Sequence, residues 1–127
     1  MASSSSPRAS GLTGRGPTPR VLNGTTSFNT NSTTTVIAAP TNSKQIVILS
    51  FDIGSAATAT GLYQLKNGAG GTVMWQTQMP ANPAPVSVNP VTGGELFRCN
   101  TNTLLQIVGN ASNTTGYINV RYLYEDP

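Results

Sequence analysis

The residues able to do chemistry here are four carboxylates, one thiol, a glycine cluster and seven basic side chains, and their spacing limits what they can do. Histidine is absent, which removes the usual general base and the commonest metal ligand. Of the acids, Asp52 alternates with Phe51 and Ile53 and so faces away from one core, while Glu95 follows the Gly93-Gly94 turn. A glycosidase pair needs two carboxylates across one bond, whereas each of these reads as a solvated or salt-bridged surface acid. Glu125 and Asp126 stand at the end of the chain. There they are expected to fray, and two adjacent carboxylates substitute poorly for an oxygen-rich calcium loop. The inventory predicts a protein that is not an enzyme and holds neither metal nor cofactor.

The thiol and the glycines point the same way. Cys99 is the sole cysteine, so it has no internal disulfide partner and no zinc-ligand spacing. It reads as a small apolar residue beside Phe97 in a strand. In "YQLKNGAGGTVMWQ", Tyr63 to Gln76, Gly68 and Gly70 match the first two positions of a dinucleotide fingerprint, but the third is Val73. The residues from Thr72 to Trp75 suit a strand and supply no helix N-terminus for phosphate. A hairpin accounts for more: apolar runs flank Asn67-Gly68, residues that tolerate the positive φ of such a tip.

The elements that must carry these residues follow from composition. At 127 residues the chain suits one domain, able to bury roughly two-thirds of the surface its unfolded form exposes. Only 9% of residues are charged, against a usual ~25%; Thr, Asn, Ser and Gln provide the polarity instead. Such a surface does not steer charged substrates over distance. The net charge of +3 is uneven. Arg8, Arg15 and Arg20 lie in a leader without acids, while later basic and acidic residues balance. Nucleic-acid arms carry denser basic runs than this, so the leader's arginines are expected to contact a protein partner. No apolar run reaches membrane-spanning length, and "MASSSSPRAS" lacks the hydrophobic region of a secretory signal. Synthesis in the cytoplasm is expected. The Asn-x-Ser/Thr triplets at Asn23, Asn31, Asn110 and Asn113 are attributed to composition.

Residues 1–21 combine a serine run with glycines and prolines and have almost no apolar side chains. Alone they cannot offset the entropy of ordering, so they are expected to settle only against another molecule. An arm of twenty residues reaches roughly 60–70 Å. From there the chain reads as short β-rich runs with no helical period: 21–28, 33–39, 45–53, 60–66, 72–79, 86–89, 95–99, 103–108 and 116–124. In "KQIVILSFDIG", Val47, Leu49, Phe51 and Ile53 read as one face, with Ile46 and Ile48 beginning a second. In "TGYINVRYLYEDP", Ile118, Val120, Tyr122 and Tyr124 form an apolar face. Trp75 reads as a core plug, and the tyrosines as filling the sandwich and its rim. Prolines at 80, 83, 85 and 90 confine their region to an irregular connection with a brief edge strand. The expected fold is an antiparallel two-sheet β-sandwich of jelly-roll or Greek-key topology over 22–127, preceded by the arm.

Taken together, "ATATGLYQLKNGAGGTVMWQTQMPAN" and "ELFRCNTNTLLQIVGNASNTTGYINVRYLY" resemble the small β-sandwich decoration (cement) proteins of tailed-bacteriophage capsids. The matching residues are Tyr63, Leu65, Asn67, Gly68, Gly71, Val73, Trp75, Leu104, Leu105, Gly109, Gly116 and Tyr122, within roughly residues 45–124. The resemblance implies a structural virion protein on the outer surface of an icosahedral capsid. There it would cement neighbouring copies of the major capsid protein, often as a homotrimer. The leader matches no motif of that family. Two other classes fit the same composition: a virion fibre domain that binds a receptor or glycan, and a small jelly-roll virus coat protein. A sugar-processing enzyme would have to rest on Asp52 and Glu95.

Overall fold

The computed structural model describes residues 20–90 and 94–127. Arg8 and Arg15, with the rest of the leader before Arg20, lie outside the described residues, as does Gly93. Nine strands follow in order: β1 (Leu22–Asn29), β2 (Thr33–Ile37), β3 (Gln45–Ser55), β4 (Gly61–Asn67), β5 (Thr72–Met79), β6 (Val86–Val88), β7 (Phe97–Arg98), β8 (Leu105–Asn110) and β9 (Thr115–Glu125). Each coincides with an expected run. The largest shift is at β8, which begins at Leu105 because Asn102 takes a left-handed backbone (φ 54°) and Thr103 N–H closes a turn onto the Asn100 carbonyl.

The strands form two antiparallel sheets, β1-β9-β3-β6 with β7 also on β3, and β2-β8-β4-β5. The pairs β4–β5, β3–β6, β2–β8 and β1–β9 nest inside one another along the chain. The molecule is therefore one long hairpin, folded over so that β9 also pairs with β3 and β8 with β4. That nesting across two sheets is the jelly-roll order, the more specific of the two expected topologies. Phe28, Ile48, Ile53, Ile118 and Val120 from the first sheet meet Ile37, Tyr63, Leu65, Leu105 and Ile107 from the second in a single core. Edge-to-face pairs bridge the layers: Phe28 with Tyr63 at 6.2 Å and Phe51 with Trp75 at 4.9 Å between ring centres.

The expected face of β3 is corrected here. Ile48 lies opposite Tyr122 and Ser50 opposite Arg121, so Leu49 is an extra residue in the ladder. A bulge of this kind reverses the side-chain alternation beyond it. The core face is consequently Ile46, Ile48, Phe51 and Ile53, while Val47 is buried outside that core, opposite Leu123 and Arg98. On β9, Ile118 and Val120 are buried and Tyr122 packs on the core, but Tyr124 emerges at the sandwich end and is 36% exposed. The β4–β5 connection is a hairpin tip as expected. Gly68 and Gly70 have positive φ, and Gly71 N–H donates to the Gly68 carbonyl.

Tyr63 is fully buried with its hydroxyl 2.7 Å from Ser55 Oγ, which also accepts from Ala57 N–H. Its polar end is satisfied at the rim of the core. Tyr63→Phe should therefore cost only about 0.5–1.5 kcal/mol in denaturant unfolding, and Ile53→Ala about 2–5 kcal/mol. The reverse ranking would contradict this packing.

Candidate interaction surfaces

The structure disperses the acids that sequence reasoning weighed for catalysis. Asp52 stands on the outer face of the first sheet, across from Asn119 and Ser87. Glu95 and Glu125 both bind Arg98, and Asp126 binds Lys44 at 2.7 Å. Glu125 is a correction: instead of fraying, it closes β9 opposite Gln45 and is held by Arg98. The last two carboxylates thus turn to different cations, and among the described residues no cluster of three or more metal-ligating side chains occurs. No helix of the described residues is long and apolar enough to cross a membrane.

Arg98 organises one end of the sandwich. Its Nε and Nη2 donate to the two Glu95 oxygens at 2.9 and 2.5 Å, Nη2 reaches Glu125 at 3.0 Å, and Nη1 donates to Gln45 Oε1 at 3.2 Å. One planar fork thereby joins β7, β3 and β9 above Val47. The guanidinium beside Glu95 holds that carboxyl below its ordinary range, and the two carboxylates raise Arg98 further above its own. Glu95 and Arg98 were visible in the sequence as neighbours. Glu125 was not, because only the β3–β9 register brings it across.

This same end is where the leader enters the domain. Arg20 and Val21 are exposed just before β1, whose first residue Leu22 lies opposite Tyr122. Tyr122 and Tyr124 stack edge to face at 5.7 Å. Tyr124, Pro40, Asn42 and Lys44 border a hollow of about 380 Å³. Burial and the neighbouring Tyr124 raise the Tyr122 phenol above its usual range. Of the three arginines expected to contact a partner, Arg20 alone is described, and it is exposed two residues before β1. Cys99 is buried as a small apolar residue, and burial pushes its thiol up to about 11.

A second surface lies on the outer face of the first sheet, which carries Asn23, Thr25, Ser27 and Asn29 on β1 against Arg121, Asn119, Tyr117 and Thr115 on β9. Thr25 Oγ1 donates to Asn119 Oδ1 at 2.8 Å. Tyr117 is 38% exposed. Its ring lies directly against Gly54, where a Cβ would come within 2.0 Å of it. Tyr117 is a correction to the expectation that the tyrosines fill the sandwich and its rim: the β9 alternation puts it on the outer face, and nothing local in the sequence pairs it with a glycine on another strand.

No family model matches the chain, and no curated protein matches it. Among solved structures, it is similar to a protein of Bacillus endospore appendages described as disulfide-linked pili (13% identity, 87% of this chain and 93% of that one, TM-score 0.46). It is also similar to the giant freshwater prawn Macrobrachium rosenbergii extra small virus particle (15%, 95% and 94%, TM-score 0.40). A third likeness is to infectious bursal disease virus Gx strain (15%, 81% and 32%, TM-score 0.28).

The Arg98 cluster has a pH consequence. A carboxyl whose folded pKa is lowered adds stability that is present above its unfolded value and is lost as pH falls through the folded one. Glu95 should therefore weaken the fold only below its ordinary carboxylate range. The pair is partly exposed, so the effect is small and fades with salt. Arg98→Met should flatten the acid side of a melting-temperature profile between pH 5 and roughly pH 3. An unchanged profile would show that the cluster contributes nothing.

Proposed function

We propose that this chain is a structural protein of an icosahedral virus particle. The observation carrying this is the jelly-roll strand order, preceded in the sequence by a leader containing three arginines and no acid. Jelly rolls serve capsids and lectins alike, so the fold narrows the class without choosing. The leader's composition supports the capsid class. A segment with almost no apolar side chains, attached where Arg20, Val21 and Tyr124 are exposed, suits an arm laid along a neighbouring subunit. Repeated around a symmetry axis, such modest contacts combine through high effective concentration.

Two placements in the particle are supported by different features. The strand order favours a subunit of the shell wall, a small jelly-roll coat protein. The residue pattern from 45 to 124 favours the decorating role, in which a homotrimer cements neighbouring major capsid subunits from outside. The sparse charge of the leader also favours decoration, since three arginines neutralise little genome.

Expression of the full chain alone, followed by electron microscopy, separates them. Closed shells identify a wall subunit. Small oligomers that then occupy preformed capsids identify a decorating one. A monomer that does neither would overturn both. Deleting residues 1–20 should leave melting nearly unchanged, because β1 begins at Leu22, while lowering assembly or occupancy by about tenfold or more.

A further inference from the structure

The outer face of the first sheet contains a surface that the assembly reading does not use. Two adjacent rows cross it. One is Ser27, Tyr117 and Gly54; the next is Thr25, Asn119, Asp52 and Ser87. Rows two residues apart along a strand are separated by roughly 7 Å. Because Gly54 has no side chain, the Tyr117 ring rests on the sheet with its exposed face toward solvent. Pro83 and Pro85 rise at its side, and Ser27 and Thr115 complete a hollow of about 430 Å³. That volume lies at the small end of ligand sites, roughly 300–1,000 Å³.

The chemistry of the surface selects its ligand. No charged side chain borders the hollow itself, which disfavours an anion or a nucleotide. The one carboxylate, Asp52, forms no ion pair among the described residues. It stands in the adjoining row, where its oxygens can accept from hydroxyl groups and strengthen those bonds by their charge. A flat aromatic face beside hydroxyl, amide and carboxylate groups suits a neutral molecule that has one apolar face and a rim of hydroxyls.

We propose that the Tyr117–Gly54 platform is a binding site for a neutral pyranose sugar. The ring stacks on Tyr117, and its hydroxyls bond to Asp52, Asn119 and Ser27. This goes beyond the structural role and does not depend on it, since the site lies within a single chain.

Saturation-transfer NMR of the full chain with a panel of neutral mono- and disaccharides tests the proposal, with binding mapped on amide shifts of labelled protein. At least one sugar should bind, perturbing Ser27, Asp52, Gly54, Tyr117 and Asn119. Tyr117→Phe should retain binding and Tyr117→Ala should abolish it. Asp52→Asn, which changes no packing, should weaken it about tenfold. Gly54→Val, which displaces the ring, should weaken it as strongly as Tyr117→Ala. Failure of every neutral sugar to bind would overturn the proposal. So would binding that survives both Tyr117→Ala and Asp52→Asn. Concentration-dependent broadening of the same amides without sugar would assign the surface to a second copy of the chain, and the proposal would fall.

Discussion

One extra residue in β3 sets the character of both faces of the first sheet. β3 is the strand on which β9, β6 and β7 all pair, and its apolar residues are too many for strict alternation to place on one side. Leu49 and Ser50 together oppose Arg121, so the strand can turn Ile46 and Ile48 inward before the bulge and Phe51 and Ile53 inward after it. Without that reversal one of the two pairs would lie on the outer side of the sheet and lose its packing against the second sheet. The same reversal sends Ser50, Asp52 and Gly54 outward. The polar outer face, including the seat for Tyr117, is thus a consequence of how the core is filled.

Elsewhere the domain is held by neutral hydrogen bonds more than by charge. Thr30, fully buried in the turn after β1, donates to the Ser112 carbonyl and accepts from Thr114 N–H; Asn29 reaches Asn113. These bonds tie the β1–β2 turn to the β8–β9 turn and close that end of the sandwich. At the other end, Arg98 and Lys44 draw the C-terminal residues against β3 and its preceding loop. The result is a body with few charges and little field around it. Under the proposed structural role such a body would pack against its neighbours without long-range repulsion.

All nine strands were legible as β-branched and aromatic runs between turn residues, since that signal is local. The β4–β5 tip was legible for the same reason, through Asn67 and the glycines after it. The phase of β3 was not, because a period of two cannot register one inserted residue. Pairing order was also hidden. Nothing in the residues of β9 states that it lies between β1 and β3, and so neither the Arg98–Glu125 pair nor the Tyr117–Gly54 contact could be read. Glu125 looked like a fraying end for want of that partner. Leu22 was visible as the start of a strand, but its place across from Tyr122 depends on the β1–β9 register.

The β3–β9 ladder is therefore where the account stands most exposed, because core, outer face and proposed sugar seat all follow from its register. Cross-strand NOEs in the labelled protein measure it directly. The account predicts Ile48 across from Tyr122 and Ser50 across from Arg121, with Leu49 unpaired and Asp52 across from Asn119. An uninterrupted ladder, with Leu49 paired and the alternation unbroken from Gln45 to Ser55, would contradict it.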